Sequence, residues 1–315
     1  MVALGLKNHL VDVVIPAFNA ARYIDQTLES IVLQGSLVHS IIVVNDGSTD
    51  QTALKVEAFT KQHPHLTVKL INQTNAGLAN ARNTGIQNAT APYVALLDAD
   101  DIWLKDKLEQ QIEVFNNSSD PRLGVVYTGY ELIDENSSAI SNKKGIIKPQ
   151  ARGDVRSKLL TGNFISGSGS SVLIKSEVFK DVGLFDESLR ASEDWDMWLR
   201  IAQKFHFDFI DMPLVQIRVH QSNMQKDFSR MLASELAMLN KFAQHGKHNY
   251  FLLLKIQTIL FKKKMAAQDI AGFDASEPWV KAQLTGFQRL FWQSLLYAPN
   301  AIWGPLKKMK RFISD

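Results

Sequence analysis

The sequence predicts an α/β fold built on a mostly parallel, Rossmann-like sheet flanked by helices, and two observations support this class. Segments rich in Val and Ile alternate four times with segments of helical apolar spacing within the first hundred residues. A polar residue then follows each of the strand-like segments. Alternation of this kind indicates parallel strands joined by right-handed crossovers.

The predicted strands are short and rich in β-branched residues, as is typical of buried strands. They cover residues 11–18, 40–46, 66–72 and 93–98. Helices are predicted between them, over residues 21–34, 50–61 and 77–89. In the first helix the apolar positions at helical spacing are Ile24, Leu28, Ile31 and Val32. The stretch 48–51 has the spacing of a capping box, which predicts that the second helix begins there.

Composition narrows the classes of protein that fit. Hydrophobic residues make up 45% of the 315 positions and charged residues 21%, which is ordinary for a globular protein. The net charge of +3 is too small to indicate nucleic-acid binding by itself. The absence of cysteine excludes disulfides, thiol catalysis and cysteine zinc sites. No signal-peptide pattern opens the chain, and the longest apolar run, 250–261, is too short to span a bilayer, so a cytoplasmic protein is expected.

Polar residues follow all four predicted strands. Ligands of parallel sheets bind at the carboxyl ends of the strands, so these residues are expected to converge on one edge. They are Asn19, Asp46, Asn75, Asp98 and Asp100. Neither GxGxxG nor GxxxxGK[ST] follows a strand, which argues against a dinucleotide dehydrogenase and a P-loop enzyme. A nucleotide bound at this edge would need another way to hold its phosphates.

The stretch YVALLDADDIW, residues 93–103, crowds three acids behind a buried strand. Like charges this close repel each other unless a cation lies between them. Magnesium and manganese prefer oxygen ligands, commonly one or two carboxylates together with substrate phosphates. Asp98 and Asp100 supply such a pair around the small Ala99. The alternative is an acidic cluster at the start of the following helix, in which Asp101 would be the cap.

Four motifs, in this order and spacing, resemble a family 2 glycosyltransferase of the GT-A fold: VVIPAFNA, VVNDGSTDQT, NAGLANARNTGI and LLDADDIW. The resemblance covers residues 11 to about 225 and is densest up to Trp103. One departure is Asn45 before Asp46, where relatives often carry two acids. The resemblance implies an inverting enzyme that uses a nucleoside-diphosphate sugar, expected to be UDP-linked, with a Mn²⁺ or Mg²⁺ ion.

The resemblance also implies a role for each matching residue on the donor side. Asp46 would hydrogen-bond the base, Asp98 would contact the ribose, and Arg82 would face the nucleotide. Asp100 would hold the metal on the diphosphate. The remaining donor-binding residues predicted here are Pro16 and Ala17 against the base, with Asn19 and Asn75.

The chemistry asks for one further carboxylate. A metal can neutralise the leaving diphosphate, but a base must still take the proton of the acceptor hydroxyl. Glu193 and Asp194 begin a helix that Ser192 can cap, and on position alone they could simply complement the helix dipole. The family carries a Glu-Asp pair about a hundred residues beyond its DxD motif, with the aspartate as base. Asp194 is therefore the predicted base, Asp196 is the runner-up, and Glu193 is expected to orient the acceptor or brace the loop.

Two later segments have an open interpretation. Residues 167–171, GSGSS, fit a phosphate cradle, but their glycine pattern is not diagnostic. The resemblance instead implies a strand that enters the acceptor side. Arg218 and His220 resemble an Arg-x-His element of many relatives. A strand of period two would turn both side chains to one face, which predicts Arg218 at the donor diphosphate and His220 at the metal. A structural histidine is the alternative.

The predicted GT-A catalytic domain spans residues 1–225, with a nucleotide-binding half at about 11–103 and an acceptor half at about 104–225. Residues 226–315 are predicted to form a helical extension. Trp292, Trp303 and the basic cluster 307–311 would let this extension lie on an anionic membrane surface, in peripheral contact with the inner membrane. A packed helical subdomain with a solvated basic end fits equally well.

These features favour an enzyme of polysaccharide, lipopolysaccharide or other glycoconjugate synthesis. The expected partners are a nucleoside-diphosphate sugar and a hydroxyl-bearing acceptor, either a glycan, a lipid-linked molecule or a small molecule, and no nucleic acid. A sugar nucleotidyltransferase would show a Gly-rich loop with Arg and Lys after the first strand, which residues 15–24 lack. A non-catalytic nucleotide-sugar-binding protein would not need Asp194.

Overall fold

The computed structural model describes residues 9–140, 145–159, 162–165 and 169–220, together with the single positions Ser234 and Met238. These residues belong to one compact unit, Met1–Met238. The predicted helical extension and its membrane-facing role lie outside the described residues apart from those two positions, as does the domain boundary expected at 225. Within the described ranges, no helix has the length and apolar character needed to cross a bilayer.

The described part of the chain contains one sheet of nine strands. The strands are β1 Val11–Ala17, β2 Val38–Asp46, β3 Val68–Gln73, β4 Tyr93–Leu96, β5 Ile102–Trp103, β6 Leu123–Ile133, β7 Ile146–Ile147, β8 Leu173–Lys175 and β9 His206–Arg218. The α-helices of the same ranges are α1 Ile24–Val32, α2 Thr52–Gln62, α3 Leu78–Gln87, α4 Lys107–Asn117, α5 Arg156–Leu159, α6 Ser176–Val182 and α7 Glu193–Ile201. A 3₁₀ turn, Gly35–Leu37, precedes β2.

The strands lie in the order β3-β2-β1-β4-β8-β6-β9-β5, and β7 pairs with β6. The first four strands are parallel to one another, as the alternation of the sequence predicted. Beyond β4 the sheet is mixed, because β8 runs antiparallel to both β4 and β6, and β5 runs antiparallel to β9. The described strands after β4 therefore extend the parallel sheet instead of forming a separate one.

The core is centred on β1, whose seven residues are all buried. In register, Val13 lies between Ile41 of β2 and Ala95 of β4. Helix α1 buries Ile24, Leu28 and Ile31 against this sheet, as its apolar spacing predicted. A strand buried on both faces reads as a continuous apolar run, which is why VDVVIPA was recognisable from sequence.

Helix α3 packs against β1 at very short range. A Cβ atom added to Gly85 would lie 2.3 Å from Cγ1 of Val14, so a residue without a side chain is required there. This contact fixes the distance between α3 and the sheet, and with it the position of the polar side chains that α3 carries to the sheet edge.

The predicted capping box at 48–51 is wrong. Helix α2 begins at Thr52 and has no side-chain cap at its N-cap residue, Gln51. Ser48 is used elsewhere, because its Oγ accepts a hydrogen bond of 2.9 Å from the backbone N–H of Asn19 in the loop after β1. Asp50 instead accepts the backbone N–H of Thr52 at 2.9 Å. A tertiary contact has replaced the local one that the spacing indicated.

Candidate active site

The loops that follow the parallel strands meet at one edge of the sheet, as expected. Asn75, after β3, donates from Nδ2 to the carbonyl of Asp46 at the end of β2, at 2.9 Å. Asn19, after β1, accepts the backbone N–H of Thr49 at 2.8 Å through Oδ1. The start of α7 joins the same edge through the side chain of Glu193. We call this edge the rim.

Asp98 and Asp100, the two acids of the DxD pattern, lie at the rim with partly exposed carboxylates, in what we call the DxD turn, residues 98–101. The side chain of Asp98 is 19% exposed and accepts a 2.9 Å hydrogen bond from Nη2 of Arg82. Oδ2 of Asp100 lies 2.8 Å from Nε2 of His220. The His220 ring stacks on Tyr23, with ring centroids 5.4 Å apart. The structure therefore brings together Asp100 and His220, which are 120 positions apart in sequence.

Asp101 does not cap the following helix, contrary to the alternative raised from sequence. Helix α4 begins only at Lys107, and Asp106 is its N-cap residue. Asp101 is buried and accepts hydrogen bonds from Ser170 Oγ at 2.6 Å and from the backbone N–H of Arg218 at 3.1 Å. Burial raises the pKa of the Asp101 carboxyl well above its usual value.

Ser170 joins the DxD turn to the later half of the chain. Besides donating to Asp101, its Oγ accepts the backbone N–H of Asp98 at 3.0 Å. Both Ser170 and Ser171 are buried, so this part of the GSGSS segment supports the DxD turn and does not form an open phosphate cradle. Residues 166–168 lie outside the described ranges.

Arg218 and His220 do not share an open face, contrary to the expectation from strand period. Arg218 is 1% exposed, whereas His220 faces the rim. The guanidinium of Arg218 donates to the carbonyl of Asp100 at 2.9 Å and to Oε1 of Gln26 at 2.7 Å. It also donates to Ser137 Oγ at 3.0 Å. Arg218 thus braces the DxD turn from behind, and its assignment as a donor-binding residue stays a prediction.

Arg82 links the DxD turn to the first turn of α7. Its fully buried guanidinium donates to Asp98 at 2.9 Å and to Oε1 of Glu193 at 2.6 Å. Burial disfavours the charged form, but the two adjacent carboxylates outweigh it and raise the pKa of Arg82. Both of these partners are protein carboxylates, and the contact of Arg82 with the nucleotide stays a prediction. The ion pairs hold the first turn of α7 beside the DxD turn.

Asp194 has the surroundings of a general base. Its Oδ2 accepts a 3.0 Å hydrogen bond from Asn163, and its Oδ1 accepts the backbone N–H of Trp195 at 2.7 Å. Burial, reinforced by repulsion from Glu193, raises the pKa of Asp194 to about 7, although Arg82 and the two hydrogen bonds oppose the shift. A carboxylate that titrates near neutral pH is suited to proton abstraction.

The runner-up base, Asp196, has a structural position. It is completely buried and forms an ion pair of 2.8 Å with Arg200, one turn further along α7. An acid without exposed surface cannot meet an acceptor hydroxyl, so the geometry favours Asp194.

Asp46 is occupied by protein hydrogen bonds. Its carboxylate accepts the backbone N–H groups of Ala76 at 2.8 Å and Gly77 at 2.9 Å, and a third bond of 2.8 Å from Gln73 Nε2. These contacts fix the turn that opens α3, where Gly77 has a φ of 96°. Pro16 and Ala17 end β1 nearby and are buried. Their predicted contacts with a base stay predictions.

Two side chains of the rim fit a divalent cation, provided that further ligands come from outside the protein. Asp100 and His220 offer one carboxylate and one imidazole, with 28% and 13% of their side chains exposed. The described residues hold no group of three or more His, Asp or Glu side chains placed around one ion. An ion here would need additional oxygen ligands, and diphosphate oxygens with water are the usual ones for Mg²⁺. The residues present fit such a shared site.

Sequence reasoning missed the residues that support the site. Tyr23, Gln26 and Asn163 each contact a predicted site residue, yet none has a recognisable motif. Ser170 lies in the GSGSS segment, which the sequence did single out, but its support of Asp98 was not predicted. Their partners are distant in sequence, so a single chain without its fold could not reveal them.

The comparison with known families decides the class of protein. The sequence profile of the family described as "Glycosyltransferase like family 2" matches residues 12–265. The chain belongs to this family. Its predicted family and its enzyme class, glycosyltransferase, are thereby confirmed.

Related glycosyltransferases cover most of this chain. It is 30% identical over 278 residues to an uncharacterized glycosyltransferase of Rickettsia typhi. The aligned region covers 87% of this chain and 82% of that protein. It is 27% identical over 260 residues to the Escherichia coli UDP-Glc:alpha-D-GlcNAc-diphosphoundecaprenol beta-1,3-glucosyltransferase WfgD, covering 82% of this chain and 96% of WfgD.

Solved glycosyltransferase structures share the fold. Residues 1–349 of S. aureus TarS, in complex with UDP-GlcNAc, match with a TM-score of 0.67 and 16% identity, over 87% of this chain and 79% of that one. The mannosyltransferase PcManGT of Pyrobaculum calidifontis, with GDP-Man and Mn²⁺, matches with a TM-score of 0.59 and 20% identity, over 91% and 84%. At such identities the likeness shows the fold, and the predicted GT-A fold is confirmed.

Proposed function

We propose that this glycosyltransferase moves a sugar from a nucleoside-diphosphate sugar, UDP-linked, to a hydroxyl acceptor with inversion at the anomeric carbon. The observation that carries the proposal is Asp194, a rim carboxylate whose pKa is raised to about 7 and whose orientation is fixed by Asn163. The complexes of TarS with UDP-GlcNAc and of PcManGT with GDP-Man support the donor class.

The reaction is a single displacement. The acceptor oxygen attacks the anomeric carbon while Asp194 takes the hydroxyl proton. The bond between the anomeric carbon and the diphosphate oxygen breaks, and the nucleoside diphosphate leaves with the electron pair. Only one base is needed because a diphosphate is a good leaving group, whereas a glycoside hydrolase also needs an acid.

The donor side of the proposal uses the rim residues after the parallel strands. Asp46 would meet the base beside Pro16 and Ala17, and Asp98 would meet the ribose. Asp100 and His220 would hold Mn²⁺ or Mg²⁺, and the ion, when bound, neutralises the charge that develops on the leaving diphosphate. The structure of PcManGT with Mn²⁺ supports this choice of cofactor.

Glu193 has a supporting role in this scheme. Its carboxylate is 7% exposed and is bound by Arg82, so it braces the loop and leaves acceptor contact to its neighbour. Of the two roles expected from sequence, the geometry supports bracing. The negative charge of Glu193 also raises the pKa of Asp194, which makes Glu193 part of the tuning of the base.

The acceptor is proposed to be a lipid-linked glycan of a glycoconjugate pathway. The name of WfgD, a relative matched along 96% of its length, specifies a sugar carried on diphosphoundecaprenol. Such an acceptor lies at a membrane surface, which agrees with the peripheral contact expected of residues 226–315.

Separate substitution of two neighbouring acids, Asp194 and Asp196, tests the proposal. Asp194→Asn keeps the shape but cannot take a proton, so turnover should fall by roughly 10²–10⁴-fold while donor affinity survives. Asp196→Asn is the matched control on the same helix and should retain turnover in the folded protein. Release of nucleoside diphosphate and isothermal titration with the donor measure the two quantities. If only Asp196→Asn loses turnover, Asp196 is the base and the assignment of Asp194 is wrong.

A further inference from the structure

The segment between α6 and α7, residues 183–192, leads directly into α7, the helix that carries the proposed base. It is bounded by two residues in the left-handed region, Gly183 with a φ of 78° and Ser192 with a φ of 58°. Glu193 and Asp194 follow directly. This α6–α7 segment thus lies between two backbone positions of positive φ, and its placement depends on what holds its middle.

Helix α3 holds the middle of the segment through side-chain amides. Asn83 Oδ1 accepts the backbone N–H of Phe185 at 2.8 Å, and Asn83 Nδ2 donates to the carbonyl of Phe185 at 2.9 Å. The carboxylate of Glu187 is shared, accepting from Asn83 Nδ2 at 2.9 Å and from Asn80 Nδ2 at 3.0 Å. These two amides lower the pKa of Glu187, so it is a charged acceptor at neutral pH.

The same network reaches the donor side of the rim. Gln73 Nε2 donates to Asn80 Oδ1 and to Asp46 Oδ1, each at 2.8 Å. Gln73 Oε1 in turn accepts from Thr84 Oγ1 at 2.8 Å. A continuous path of hydrogen bonds therefore runs from Asp46 through Gln73 and Asn80 to Glu187.

We propose that Glu187 is a positioning residue for the base: its carboxylate, shared by Asn80 and Asn83, holds the α6–α7 segment on α3 so that Asp194 is correctly placed. The inference rests on the proposed function of Asp194. Glu187 itself is exposed at the surface, and exposed polar contacts add little to global stability. Its contribution is geometric, and small displacements of a reacting group reduce turnover strongly.

A donor–acceptor exchange tests this role. Glu187→Gln sets an amide nitrogen opposite the Asn80 or Asn83 amide, so one hydrogen bond is lost. Asn80→Asp sets two carboxylates against each other. In the double variant, Asp at position 80 accepts from Gln73 and from the new Gln, whose oxygen accepts from Asn83, so every pair is restored.

We expect each single substitution to lower kcat by roughly 10- to 100-fold, with donor affinity and melting temperature unchanged. The double variant should recover kcat toward the wild-type value. Glu177→Gln, an exposed acid on α6 that lies 3.8 Å from Lys175, is the control and should leave kcat unchanged. Nucleoside diphosphate release by the full-length chain is the assay.

Two results would overturn the inference: wild-type kcat in Glu187→Gln, or a loss of kcat that follows the melting temperature and is not rescued in the double variant. Asp194→Asn separates this failure from that of the proposed function. If Asp194→Asn abolishes turnover while Glu187→Gln is silent, only the positioning role is wrong. If Asp194→Asn is itself silent, the proposed function is wrong.

Discussion

Asp100 and His220 are the two residues proposed to hold the metal ion. Substituting Asp100→Ala removes the main protein ligand that the rim offers, so we expect nucleoside diphosphate binding to lose its dependence on Mn²⁺ or Mg²⁺. Transfer should fall to background, because the diphosphate then leaves without charge neutralisation. Titration calorimetry of UDP with and without Mn²⁺ measures the effect. Glu113→Ala, an exposed acid of α4, serves as the control.

His220→Ala should weaken the same metal-dependent binding to a lesser degree, because one oxygen ligand remains. Full activity of the wild-type chain in excess chelator would contradict the metal assignment outright. Retained metal dependence in Asp100→Ala would instead place the ion on other residues.

Single residues differed in how far sequence could predict their position. Strand order was sufficient to predict that Asp98 and Asp100 lie at the rim, since both follow β4. Arg82 and Glu193 lie on helices, and only the family resemblance pointed to them. Asp101 was misjudged because its partners, Ser170 and Arg218, lie 69 and 117 positions away. Local pattern favoured a helix cap, and only the fold shows that Asp101 ties three segments together.

At the level of elements, helix α3 connects the hydrophobic core with the candidate active site. One face of it contacts β1 at Gly85, and another carries Arg82 to the rim. Displacement of α3 would therefore affect both Asp98 and α7. Its position is set by the close contact between Gly85 and Val14.

We expect Gly85→Ala to destabilise the fold by about 1–3 kcal/mol, because the new methyl group overlaps the side chain of Val14. Urea unfolding measures the change, and activity should decline with it as Arg82 moves. Gly162→Ala is the matched control, since no heavy atom lies within 4 Å of the position where its Cβ would be. Equal stability of the two variants would show that α3 can shift without cost.

Elements with a local signal were predicted, and elements with a tertiary origin were not. The first four strands and their helices were visible because apolar periodicity is written into each segment. The two-residue strand β5 exists only through its pairing with β9, in register Ile102 to Gln216 and Trp103 to Val215. The antiparallel insertion of β8 between β4 and β6 likewise depends on distant partners.

Across the whole molecule, the Arg82 ion pairs connect Asp98, which follows a parallel strand, with α7, the helix that carries the proposed base. Arg82→Met would leave the buried Glu193 carboxylate without its partner. We expect a loss of about 3–5 kcal/mol in the free energy of unfolding. Because the charge of Arg82 lowers the pKa of Asp194, its removal should also move that pKa upward.

The double variant Arg82→Met with Glu193→Gln provides the control, since it removes both charges and should be less destabilised than Arg82→Met alone. Denaturant unfolding of the wild type, Arg82→Met, Glu193→Gln and the double variant gives the double-mutant cycle. Additive losses would mean that Arg82 and Glu193 contribute independently and do not link the DxD turn to α7.

The pH dependence of kcat/KM tests the central claim, that Asp194 is the base, most directly. A base must be unprotonated to act, so the raised pKa of Asp194 predicts a rate that falls about tenfold per pH unit below about 7 and levels off above it. In Asp194→Asn this acid limb should vanish, leaving a low rate independent of pH across the same range. A limb near pH 7 that persists in Asp194→Asn, or a flat profile in the wild-type enzyme, would contradict the account.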